Sequence, residues 1–142
     1  MDQRVQSQVL DGGEAILQGC RDLGIEYIFS SPGSDWGSVW EALARQQVNK
    51  VAGPKFVSCA HETLAVDLAA GYTGMTGKMQ AVLLHAGVGL MQGSMGIYGA
   101  RLNDVPMVIL SGESMTFVRL IAETMSAIDV FARSMRAGST TT

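Results

Sequence analysis

The stretch MQAVLLHAGVGLMQGSMGIYGARLNDVPMVILSG, residues 79–112, decides the fold. It opens with MQAVLLH (79–85), a near-continuous apolar run of the kind found in strands buried on both faces. A glycine-rich loop running into a helix follows, and PMVILSG (106–112) is a second apolar strand. Strand, crossover helix, strand is a βαβ unit, and such units build parallel sheets.

The same alternation extends toward the N-terminus. In DGGEAILQGCRDLGI (11–25), Asp11 is an N-cap with Glu14 three residues on, Ile16, Leu17, Cys20 and Leu23 recur at helical spacing, and Gly24 is the stop. IEYIF (25–29) is a short strand that ends at SSPGSD (30–35), a Pro-Gly turn before WGSVWEALARQQ (36–47) resumes helical periodicity. KFVSC (55–59) is another strand, and HETLAVDLAAGYTGMTG (61–77) a helix ended by glycines. The order predicts an α/β fold, a doubly wound parallel sheet flanked by helices. Ligands of such sheets bind beyond the carboxyl ends of the strands, so Ser34, Glu62, His85 and Glu113 are expected near one rim. Residues 1–114 form this domain; 115–142 read as a helical tail with apolar Val118, Ile121, Met125, Ile128 and Phe131, fraying at AGSTTT (137–142).

Composition limits the function classes. With 47% hydrophobic and 16% charged residues the chain lies on the globular side, and 142 residues suit one core. Its 17 glycines exceed the usual ~7% and favour tight turns and close backbone approaches. A net charge of -3 without a Lys/Arg cluster argues against nucleic acid. Cys20 and Cys59 sit in apolar patterns without metal-ligand spacing and read as buried thiols in a reducing compartment; the nine methionines read as core fillers. No basic start precedes an apolar run, and no window approaches the ~20 apolar residues of a membrane span. A soluble, cytoplasmic protein is expected, with no protein-held metal.

Glu62 is the sharpest candidate. A glutamate in the first turn of a helix can simply interact with the positive end of the helix dipole. Alternatively, a partly desolvated carboxyl at a strand-to-helix junction can share a proton with a ligand nitrogen. His85 ends an apolar strand and precedes the glycine loop, placing it at the crevice, although a structural histidine there is common. His61 reads as a packing or capping residue. The glycines at 87, 89 and 93 give G-x-G-x-x-x-G instead of the dinucleotide G-x-G-x-x-G, which supports a nicotinamide site only weakly.

Together, GGEAILQGCRDLGIEYIFSSPGSDW, FVSCAHETLAVDLAAGYTGMTGK and AVLLHAGVGLMQGSMGIYGARLNDVPMVILSGES resemble, in the right order over residues 12–114, the N-terminal pyrimidine-binding domain of thiamine-diphosphate-dependent enzymes of the acetolactate synthase and benzoylformate decarboxylase type. The resemblance implies the thiamine-diphosphate-binding fold, with Glu62 hydrogen-bonding the cofactor's aminopyrimidine and catalysing its activation for attack on a small 2-oxo acid. It implies a proton relay at His85 and a substrate-carboxylate contact at Ser34. Pro32, Gly33, Gly87, Val88 and Gly89 fall where the family's loops approach the cofactor. The chain has no G-D-G, the start of the family's magnesium and diphosphate motif. A partner chain or domain is therefore expected to hold Mg2+ and the phosphates, in a homo-oligomer or with a separate diphosphate-binding chain. A catalytically silent binding, regulatory or dimerisation module of the same fold is the alternative, and an unrelated flavodoxin-like or nucleotide-binding domain a third.

Overall fold

The computed structural model describes residues 11–31 and 33–112. Its elements run α1 (Gly12–Asp22), β1 (Tyr27–Ser30), a 3-10 turn (Ser34–Trp36), α2 (Gly37–Val48), β2 (Lys55–Ser58), α3 (Glu62–Thr76), β3 (Gln80–Leu84), α4 (Val88–Leu102) and β4 (Met107–Ser111). All four strands are parallel, in the order β2-β1-β3-β4. Helices cover both faces, as the alternation predicts. The expected tail, 115–142, lies outside the described residues.

The sheet separates its side chains by the two-residue period of a strand. Ile28, Ala81 and Leu83, with Phe56, Val108 and Leu110, face α1 and α2 and pack on Leu17, Cys20, Val39 and Ala42. Phe29, Val82 and Leu84, with Val57 and Ile109, face α3 and α4 and pack on Ala65, Val66 and Ala69. β3 is buried at every position. Full burial of one leucine side chain contributes ~1.5–3 kcal/mol, so Leu83 and Leu84 anchor the two layers from adjacent positions of one strand. β4 is only half-buried throughout, where a doubly buried strand was expected, because among the described residues it pairs with β3 alone.

Helix ends follow local chemistry. The Asp11 carboxylate accepts the Glu14 N–H at 2.8 Å and starts α1, while the Glu14 side chain turns away to Arg21, also at 2.8 Å. Gly77 ends α3 at φ 70°, a left-handed cap that only glycine adopts without strain. The expected loop of AGVGLMQGSMG is shorter than its glycine content suggests: α4 begins at Val88, and Gly89, Gly93, Gly96 and Gly99 lie inside it. A Cβ at Gly96 would collide with Val66, and one at Gly93 would press on Leu84 and Val66. These glycines set the close contact between α3 and α4.

That tight seam leaves the outer surface of α4 unusually apolar. Val88, Met91, Met95, Tyr98 and Leu102 are exposed at alternating spacings of three and four, beside exposed Leu64, Leu68 and Met75 of α3. Met75 (88% exposed), Met91 (76%) and Met95 (78%) are not core fillers, contrary to the compositional reading. Their helical spacing matched a buried face; the glycines between them make the inward contact instead.

At the opposite end of the sheet, the Tyr72 hydroxyl donates to Glu26 at 2.6 Å, and Lys78 pairs with the other Glu26 oxygen. The Glu26 carboxylate pushes the Tyr72 phenol up to about 12, chiefly because ionisation would destroy their hydrogen bond. Since the folded value exceeds the unfolded 10, the stabilisation is complete below the unfolded value and is lost as pH rises through the folded one. Absorbance titration at 295 nm should show a phenolic step near pH 12; Tyr72→Phe removes that step and Glu26→Gln moves it down.

Two glycines of α1 should respond in opposite senses. A Cβ at Gly13 would run into the backbone of Ser38, where α1 meets α2, whereas one at Gly19 meets nothing within 4 Å. In urea unfolding of the full chain, Gly13→Ala should destabilise by ~1–3 kcal/mol through overpacking. Gly19→Ala should stabilise by ~0.5–1 kcal/mol through helix propensity.

Candidate active site at the strand switch point

β1 and β3 are neighbours, yet their continuations leave in opposite directions, β1 toward β2 and β3 toward β4. A crevice opens at such a switch point beyond the carboxyl ends of the strands. Three segments fill it: residues 33–36 after β1, residues 85–89 after β3, and Gly112 after β4. Glu62, at the start of α3, joins them.

The 3-10 turn straps the loop of β1 across the end of β3. The buried indole N–H of Trp36 donates to Leu84 O at 3.0 Å. Asp35 follows the same path: Oδ1 lies 2.8 Å from His85 Nδ1, and Oδ2 accepts the Ala86 N–H at 2.9 Å. A Cβ at Gly33 would strike Asp35 Oδ1 and the His85 ring, and one at Gly112 would strike Asp35 Oδ2. The carboxylate is thus enclosed by two glycines, a backbone N–H and an imidazole; its side chain is 16% exposed, against 42% for His85.

On the other side of His85 stands Gly89, buried in the first turn of α4. A Cβ there would lie 3.0 Å from His85 Cβ, 3.3 Å from Glu62 Oε1 and 3.4 Å from Glu62 Cγ. Glu62 and His85 therefore flank one glycine, close enough that any side chain at 89 would crowd both. Glu62 is half-buried, and its carboxylate has no hydrogen-bond or ion-pair partner among the described residues. It does not cap α3: His61 Nδ1 accepts the Thr63 N–H at 3.2 Å, so the capping role expected of His61 is observed. Gly87 precedes α4 at φ 62° and ψ -83°, a backbone conformation closed to ordinary side chains, and no side chain caps that helix start.

The sequence-predicted rim is largely present. Gly33, His85, Gly89 and Glu62 converge; Gly87, Ser34 and Val88 lie on the same rim and are exposed. Pro32 and Glu113 lie outside the described residues. Gly93 of the glycine pattern belongs to the core seam. Cys59 follows β2, but burial pushes its thiol up, as it does that of Cys20, the opposite of the lowering that activates a thiol. Asp35, Trp36 and Gly112 were not singled out by sequence reasoning. Asp35 belongs to SSPGSD, where an acidic residue before a helix reads as turn chemistry; its reach to β3 depends on tertiary contact.

Residues 10–131 match the family of the thiamine pyrophosphate enzyme N-terminal TPP binding domain. The chain belongs to this family. Among relatives of this thiamine pyrophosphate domain, the acetolactate synthase large subunit of Haemophilus influenzae is 36% identical over 107 residues, covering 75% of the chain and 18% of the relative. The acetolactate synthase isozyme 3 large subunit of Escherichia coli is 31% identical over 109 residues, 77% of the chain and 18% of the relative. The X-ray structure of a protein from Mycobacterium smegmatis assigned as a thiamin diphosphate-dependent enzyme superposes with a TM-score of 0.57 at 21% identity, covering 79% of this chain and 20% of that one. The fold is thus the thiamine-diphosphate-enzyme fold. The chain spans about a fifth of the length of the relatives it matches.

The Trp36 bond gives this thiamine pyrophosphate domain a direct test of its strap. Trp36→Phe removes the buried donor to Leu84 O and should lower stability by ~1–3 kcal/mol in urea unfolding. The His85 and Ala86 amide resonances should shift with it, since Asp35 adjoins the lost anchor.

Proposed function

We propose that this chain supplies the pyrimidine-binding part of a thiamine-diphosphate-dependent enzyme acting on a small 2-oxo acid, of the acetolactate synthase type. The observation that carries the reading is the Glu62 carboxylate: half-buried, without a partner among the described residues, and facing the glycine that separates it from His85. A first-turn glutamate that served only the helix dipole would have no need of a side-chain-free residue beside it.

The donor set fits one end of the cofactor. Glu62 offers a carboxyl that can hold a proton against a ring nitrogen, and Gly89 leaves open the space that a Cβ would fill. Thiamine diphosphate, when bound, supplies the carbon nucleophile and the electron sink for chemistry on a 2-oxo acid. Glu62 gives and takes the proton at its carboxyl oxygen. His85 moves a proton at its ring, and Ser34, exposed on the same rim, contacts the substrate carboxylate. Gly33, Gly87 and Val88 line the approach, with Pro32 preceding them.

The other end of the cofactor needs a second body. Among the described residues no group of three or more His, Cys, Asp and Glu is placed to hold a metal ion, and the chain carries no G-D-G. Mg2+ and the diphosphate then belong to a partner chain or domain, in a homo-oligomer or a mixed assembly. The exposed apolar stripe of α4, which begins at Val88 beside the site, supports such a covering body. A catalytically silent module would share the family's fold, but nothing in such a role calls for an open Glu62.

Isothermal titration with thiamine diphosphate and Mg2+ tests the reading, run with and without the diphosphate-binding part of an acetolactate synthase large subunit. Heat only in the mixture is expected; no heat in either arm points to the silent module. In the assembled mixture, exchange of the cofactor C2 proton into D2O should slow ~10²–10⁴-fold in Glu62→Gln, the range of a lost general acid–base group. Unchanged exchange would remove Glu62 from the activation step.

A further inference from the structure

The Asp35–His85 pair goes beyond this reading, because neither the residues that mark the rim nor the cofactor explains why a carboxylate is walled in there. We propose that Asp35 is a positioning residue that fixes His85 as the Nδ1–H tautomer, leaving the Nε2 lone pair, turned to the crevice, as the ring's proton-accepting atom. The consequence for catalysis rests on the proposed thiamine-diphosphate chemistry; the tautomer itself does not.

The hydrogen-bond inventory decides the proton's place. Asp35 makes two contacts, and the Ala86 N–H at Oδ2 can only donate. A carboxylate offers lone pairs alone, so at Oδ1 the proton must come from His85 Nδ1, 2.8 Å away. Nε2 has no hydrogen-bond partner among the described residues, and the side chain is 42% exposed. The arrangement is rigid at each corner. Trp36 anchors the turn to Leu84 O, and Gly33 and Gly112 close on the two carboxylate oxygens so tightly that a Cβ at either would push the Asp35 side chain from its place. A carboxylate needed only to tie two loops would require the Ala86 contact; the imidazole contact adds an orientation and a tautomer to a group that otherwise rotates freely.

The geometry makes the isosteric variant unusually informative. In Asp35→Asn the amide oxygen must serve the Ala86 N–H, which turns the NH2 toward His85 Nδ1. That nitrogen then has to accept, and the proton moves to Nε2. A carboxylate-to-amide change beside a catalytic histidine is known to impair turnover through the wrong tautomer.

The chain has two histidines, so His61→Asn, which puts a capping amide oxygen where His61 Nδ1 accepts, leaves the imidazole spectrum to His85 alone. Long-range 1H–15N correlation of the full 142-residue chain should show the proton on Nδ1 in this background and on Nε2 once Asp35→Asn is added. Asp35→Ala, should it unfold the loop, is replaced by the Asn variant, whose circular dichroism should match the parent. A parent His85 protonated on Nε2, or a tautomer unmoved by Asp35→Asn, overturns the positioning role. In the assembled enzyme the flip should lower kcat ~10²–10⁴-fold with KM nearly unchanged; a flipped tautomer with intact kcat overturns the part given to Nε2. If the tautomer behaves as expected while no mixture binds thiamine diphosphate, the proposed function fails and the positioning stands.

Discussion

A turn of three residues after β1, Ser34–Trp36, is tied across the end of β3 by the Trp36 indole on Leu84 O and by the Asp35 carboxylate on His85 and Ala86. Hydrogen bonds within a strand pair hold a sheet together, but they do not govern what the following loops do. Here the loop of one strand is fastened to the loop of its neighbour at the point where the chain reverses direction across the sheet. The neighbouring features of the rim adjoin that fastening one after another. His85 meets it at Nδ1, Gly89 packs beside the His85 Cβ, and Glu62 flanks Gly89.

Glycine is the residue that makes this crowding possible. Gly33 and Gly112 give Asp35 its enclosure, Gly89 brings α4 against His85 and Glu62, and Gly93 with Gly96 continues the same close approach along α3. Each helix-interior glycine costs about 0.5–1 kcal/mol relative to alanine, so four in one helix weaken it substantially on their own. The compensation comes from packing, since a seam without side chains lets Val66 and Leu84 fill the space between helix and sheet. The stretch is therefore stabilised by tertiary contact and little by its own propensity.

Much of the fold could be read directly. The period-two split of the sheet, the Asp11 cap, the left-handed Gly77 and the doubly buried β3 all follow from local rules that act within a few residues. The rim residues Glu62 and His85 were legible because a titratable side chain at the end of an apolar run is costly to bury and finds water or a ligand only where the strand opens into a crevice. Asp35 was not, because its role depends on a partner 50 positions away, and a carboxylate after Pro-Gly has an adequate local reading as turn chemistry. Met75, Met91 and Met95 departed from the core-filler reading for a related reason: a helical stripe of Met and Leu has the same spacing whether it faces a core or solvent.

The apolar stripe and the open carboxylate express the same incompleteness at two scales. Beside its glycines α4 turns Leu90 and Ile97 inward and still carries a large apolar row outward, which starts at Val88, the residue between Gly87 and Gly89 at the rim. A body that buried the row would therefore also arrive at the mouth of the crevice. Covering the row would thus also reduce the access of water to that rim. A half-buried carboxyl without a partner is tolerable while water can reach it. Once the stripe is covered that solvation is lost, and a carboxyl without a partner among the described residues becomes costly to keep charged unless a donor meets it.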